Sequence, residues 1–308
     1  MMCRISHSIK RLDALTWTSH MEEFLQSLSE QREWEGDDLL VAQVKIQLIV
    51  EQLTRATSTD GILPVYVLSA LRTQLQNIKS QLPFHLQQNG MPTTNQTLRL
   101  FNIADLFQDT ILSHISYTEL AIQEAALAKP KSPINGTMLD LQRYEAMEAC
   151  LSAVKDWFDR HFSIPSFVYI GMTFSYWCHM CHCLLSLYRL SVLDEPAWDR
   201  RAVRNKIDLL AICERLKIGF EEVATQRLLV VGPTVEEDGF AKFARMLRAM
   251  QSSWAVELAV VQGNPGPSLN TQAEVFIDGS ADGMNVPFCQ PEDSDSWIAG
   301  LFDMNWDV

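Results

Sequence analysis

Apolar residues recur at three- and four-residue spacing along most of the chain, and no run shows the strict alternation of a strand series, so the pattern predicts an all-α protein. From Leu12 to Arg32, Leu15, Phe24, Leu25 and Leu28 mark an amphipathic helix that stops near Gly36. Asp37 and Asp38 suit the N-terminus of the next helix, whose stripe reads Leu40, Val41, Val44 and Leu48. After a turn at 58–64 comes a seam of Val67, Leu68, Leu71, Leu75, Ile78 and Leu82, ended by Pro83. A polar loop at 87–97 leads into a longer helical region, where Asn102 and Ser116 are the candidate breaks.

The most apolar stretch runs from Ala149 to Leu193 and has no Asp, Glu, Lys or Arg between Arg160 and Arg189. Protein or lipid must therefore shield it from water. Pro165, just after Ser163, suits a first helical turn and sets the expected helix start there. Serines and histidines are scattered through the run, and Tyr176 and Trp177 sit in its middle instead of at its ends. That arrangement favours a central buried helix over a membrane span. Further on, Leu209, Cys213, Leu216, Phe220 and Val223 form a second buried stripe, and Phe243, Met246, Leu247, Met250 and Trp254 a third.

The punctuation divides the chain into an N-terminal helical segment (1–36), an all-α domain (37–262) and an acidic tail (263–308). Two prolines and a glycine place an internal break at 129–137. The tail is too polar to offset its ordering entropy and is expected to be largely disordered. Net charge is −13, and beyond Arg248 there are nine acidic residues with no Lys or Arg. Such a chain lacks the basic face that holds nucleic acid, so no direct DNA contact is expected from it alone. Seven irregularly spaced cysteines and the absence of an apolar signal core point to an intracellular protein.

Candidate chemistry is sparse, and no catalytic residues are assigned. Cys178, Cys181 and His182 share one helix face and are the weak candidates for metal ligands. Cys183 points away, so this segment cannot close a tetrahedral site by itself, and small buried cysteines explain the cluster more simply. Asp37 and Asp38 read as a helix cap. No phosphate-binding glycine loop, HExxH or nucleophile elbow is present. One alternative reading is a helical enzyme or small-molecule sensor with a pocket near Trp177, His179 and His182.

At the end of the chain, Trp297, Ile298, Leu301, Phe302, Met304 and Trp306 stand among acids, the composition of an activation segment over 294–308. Such a segment recruits transcription machinery or a coactivator by folding onto it. The alternative is a tail that docks on its own domain. The phrases AVKDWFDRHFSIP, CLLSLYRLSVLDEPAWDRRAVR, LRTQLQNIKSQLPFHLQQN and ISYTELAIQEAAL resemble the regulatory region of fungal zinc binuclear-cluster transcription factors. The resemblance implies a nuclear, non-enzymatic regulator, with dimerisation left open and a pathway-specific role, for instance in secondary metabolism. It also implies an N-terminal six-cysteine zinc cluster. Only Cys3 precedes Cys150 here, so no counterpart of that cluster, and no zinc or other cofactor, is expected in this chain.

Overall fold

A computed structural model describes residues 17–34, 36–60, 63–82, 103–127, 137–195, 198–231 and 238–261. Among these residues there are α-helices, one 3₁₀ helix and no strand. The helices are α1 (Ser19–Gln31), α2 (Asp37–Asp60), α3 (Val65–Gln81), α4 (Ile103–Ala126), α5 (Thr137–His161), α6 (Phe174–Val192), α7 (Arg200–Lys206), α8 (Leu209–Val231) and α9 (Gly239–Val261). The 3₁₀ helix, Ser166–Gly171, lies between α5 and α6. The tail from 263, the 129–136 stretch and the N-terminal 1–16 lie outside the described residues.

Two apolar cores are joined chiefly by α4, with Val50 of α2 also reaching the larger one. Leu39, Ala42, Ile46, Ile49 and Leu53 of α2 meet Leu68, Leu71 and Leu75 of α3 and Ile111, Leu112, Ile115, Ile122 and Ala125 of α4. The other side of α4 gives Tyr117 and Leu120, with Leu127 just after it, to a larger core built by α5, α6, α8, α9 and the 3₁₀ helix. A helix with apolar residues on two sides must be covered on both, so α4 becomes the beam between the cores.

Several predicted faces shift once the neighbours are known. Phe24 is 62% exposed and Leu25 points inward instead, because α1 packs chiefly on α2 and buries only a narrow row. Leu40 is exposed and the buried row of α2 begins one residue earlier, at Leu39. Apolar residues ring this part of the helix, so spacing alone permits two faces and packing selects one. The break expected at Ser116 does not occur; α4 continues through it, with the Thr118 hydroxyl bonded back to the His114 carbonyl at 2.8 Å. Asn102 lies outside the described residues.

The helix expected to start at Pro165 starts nine residues later. Pro165 instead leads into the 3₁₀ helix, and Met172 and Thr173 are extended before α6 opens at Phe174. Tyr169 explains the interruption. Its ring lies on Gly219 of α8, where a Cβ would come within 3.2 Å of it, and this contact holds the short helix against α8. From Tyr176 to Ser191, α6 is buried on nearly all sides. No helix among the described residues is long and apolar enough to cross a membrane.

Polar side chains fix the corners. Asp37 accepts a hydrogen bond from the Trp34 amide at 3.0 Å and Asp38 pairs with Arg32 at 3.1 Å, so both acids tie the α1–α2 turn. Asp208 and Asp238 cap the starts of α8 and α9. The segment after α6 acts as a clasp. Trp198 donates its indole N–H to the Leu190 carbonyl at 2.8 Å, and Arg143 of α5 makes a forked ion pair with Glu195 while also reaching the Leu127 carbonyl. One stretch thereby joins the ends of α4, α5 and α6.

Candidate functional site

The polar groups of the interior gather along the α4–α6 seam. On α4 they are His114, Tyr117 and Glu124, and on α6 His179, His182 and Ser186, each set spaced three, four or seven residues apart so that it forms one stripe. The stripes face each other in parallel. His114 lies 5.0 Å from His179 between ring centroids, and Tyr117 stacks on His179 at 3.7 Å, tilted by 12°. Further along, His182 Nε2 donates to Glu124 at 2.6 Å, His182 Nδ1 lies 3.3 Å from the Tyr117 hydroxyl, and Ser186 donates to the other Glu124 oxygen.

Burial sets the charge states. Desolvation works against a charged Glu124, yet His182, the Ser186 hydrogen bond and Arg189 outweigh it and hold the carboxyl below its ordinary range. Desolvation also pushes the His114 imidazole down to about 4 and that of His179 well below its usual value, so both are neutral at physiological pH. Both ring nitrogens of His182 are engaged within the protein. The set therefore positions helices instead of offering a free base to a substrate.

A third buried histidine sits at the end of α5. His161 is stacked between Trp157 and Tyr169, at 5.3 and 4.9 Å, and its Nδ1 lies 3.0 Å from the Tyr176 hydroxyl. Burial lowers its pKa to about 3, with Arg215 adding to the effect. Its Nε2 and the Trp157 indole nitrogen are buried without a hydrogen-bond partner.

Of the residues singled out in the sequence, Tyr176 bonds His161, and Trp177 packs half-buried against Phe220 and Phe240. His179 and His182 enter the seam. Cys178, Cys181 and Cys183 are buried free thiols whose pKa burial raises, to about 12 for Cys178. Among the described residues no three His, Cys, Asp or Glu side chains are grouped to hold a metal ion. Trp297, Ile298, Leu301, Phe302, Met304 and Trp306 lie outside the described residues. Sequence reasoning missed His114, Tyr117 and Glu124. Their three- and seven-residue spacing was available, but nothing in it said that α6 would present a matching stripe.

The described residues form an all-helical body with an internal polar seam, and the proteins the chain resembles bear names of one class, fungal transcription factors. The chain is similar to transcription factor opdL of Penicillium oxalicum, at 30% identity over 305 residues, 96% of this chain and 47% of opdL. It is also similar to a protein of Aspergillus terreus named transcription factor, at 29% identity over 227 residues, 67% of this chain and 35% of that protein. It thus spans about half the length of opdL and about a third of the other. The ATEG07667_C family model, described as a C-terminal domain, matches residues 166–303. No solved structure matches the chain.

Proposed function

We propose that this chain is a non-enzymatic regulator of transcription, acting in the nucleus as the regulatory and activating part of a zinc-cluster factor. The observation that carries the reading is the similarity to opdL along 96% of the chain. The engaged nitrogens of His182 and the protonated thiols of α6 support it, since neither presents a reactive group. On this reading the helical body supplies regulatory contacts, and residues 294–308 recruit transcription machinery or a coactivator. Contact with DNA comes from elsewhere, through a zinc cluster or a partner. A pathway-specific role in secondary metabolism follows from the family resemblance.

Fusing residues 263–308 to an unrelated DNA-binding domain tests the activating part. Reporter output is expected to rise clearly above that of the DNA-binding domain alone and to fall back to it in the Trp297→Ala, Phe302→Ala, Trp306→Ala variant. Equal output from the two fusions would remove the activation segment from the account.

A further inference from the structure

The hairpin of α1 and α2 carries an apolar groove along one side. Leu25 is the buried residue of α1, and Met21, Phe24 and Leu28 follow at three- and four-residue spacing on one flank of it. Met21 and Leu28 are half-buried, while Phe24 is exposed, its ring 4.4 Å from that of His20. On α2, Leu40, Val44 and Leu48 recur every four residues, Leu40 being 50% exposed and the other two half-buried, and the core row from Leu39 to Leu53 lies on the other side of the helix. The short turn of 32–36 folds α2 back along α1, so the two rows line one groove. Apolar rows on two paired helices make the usual seat for the apolar face of a third.

Three observations point to the occupant. The first is pattern: in the stretch before α1, Ile5, Ile9 and Leu12 recur at four and three residues, the spacing of one helix face, with Arg4, Lys10 and Arg11 between them. The second is charge. From Trp17 to Asp38 the sequence has seven Asp or Glu and one Arg, whereas residues 4–15 have three Lys or Arg and one Asp. Other stretches outside the described residues do not match: 83–102 has Arg99 as its one Lys, Arg, Asp or Glu, and the tail from 263 is acidic. The third is place. Thr18, the N-cap of α1, has extended backbone, so the chain changes direction there, one residue from the groove's end at Met21 and Leu48. A helix of 4–15 is about 18 Å long, enough to follow the groove from Leu48 to Leu40, a rise of about 12 Å along α2.

We propose that residues 4–15 fold as a basic amphipathic helix into the α1–α2 groove, with Ile5, Ile9 and Leu12 toward Phe24 and Leu40, and so cover a surface that fits a helix of the same chemistry from another chain. Amide hydrogen exchange on the full chain tests it directly. A dock closed about nine-tenths of the time slows exchange about tenfold. Amides of 7–15 are therefore expected to exchange about tenfold faster in Leu40→Asp and in Phe24→Asp than in the wild-type chain. Both changes fall at exposed positions, and neither alters the sequence of the segment. Leu229→Asp, on α8 and 82% exposed, is the control and is expected to match the wild type. Reversing the segment's charge with Lys10→Glu and Arg11→Glu is expected to speed exchange several-fold at 5–8, where the neighbouring side chains are unchanged. Equal exchange of 7–15 in the wild type and both groove variants overturns the docking, and so does an equal acceleration in Leu229→Asp. Protection that disappears on dilution as a dimer dissociates also overturns it, because a second copy then fills the groove. The docking stands apart from the activation reading: silence of the 263–308 fusion sinks that reading alone.

Discussion

Acidification from pH 7 to pH 4 is expected to unfold the helical body, with its three buried histidines as the cause. An unfolded histidine takes up its proton near 6.5, whereas His114 in the fold waits until about 4, His161 until about 3, and His179 is shifted in the same direction. Between these values the unfolded chain binds more protons than the native one, so stability rises with pH and is lost as pH falls below 6.5. Each group removes about 1.4 kcal/mol per pH unit once it titrates in the unfolded chain. From 6.5 to 4 that is about 3 kcal/mol for each of His114 and His161, a large part of the roughly 5–15 kcal/mol that holds a domain together. Glu124 adds to the loss at the acid end. Its lowered pKa contributes stability above the ordinary carboxylate range that disappears as pH drops through the folded value. Thermal melts followed by circular dichroism across pH 4–7.5 check this. The melting temperature should fall steeply below pH 6.5, and less steeply in His161→Phe; a melting temperature flat down to pH 5 would rule the mechanism out.

Trp157→Ala is expected to destabilise the body by about 3–5 kcal/mol. The indole is fully buried, set edge-on to Phe158 and stacked on His161, with Tyr176 5.2 Å away. Its removal leaves a hole that three rings held at fixed distances cannot fill. Trp157→Phe should be far milder, because it retains most of the ring and deletes a buried N–H that has no acceptor. Denaturant titrations of the two variants separate these effects, with a midpoint shift several times larger for Ala at unchanged slope. Equal shifts would mean that the ring contacts contribute little.

How far the sequence disclosed this architecture depends on what each helix touches. The row Leu209, Cys213, Leu216, Phe220 and Val223 is buried as its spacing implies, since α8 has one broad apolar face and one core to fill. Leu68, Leu71 and Leu75 behave the same way. Leu40 and Phe24 do not, because in α1 and α2 the choice of face depends on a neighbour that periodicity does not describe. The start of α6 was hidden for a related reason: Pro165 suits the first turn of an α-helix or a 3₁₀ helix, and only Tyr169 resting on Gly219 decides between them. The seam was half legible. His179 and His182 stood out in an uncharged run, but the α4 partners that satisfy them lie more than fifty residues earlier. The phrases that carry the family resemblance coincide with structural work in the fold: Tyr117 and Glu124 in the seam, Trp157 and His161 in the aromatic stack, Glu195 and Trp198 in the clasp.

Under the proposed function, this chain is a scaffold that presents contacts at promoters. Chromatin immunoprecipitation of the endogenous protein, epitope-tagged in its own cells, measures that directly. Enrichment at a limited set of promoters whose transcripts change when the gene is deleted is the predicted result. A tagged, stably folded protein that enriches no promoter above an untagged control would contradict it.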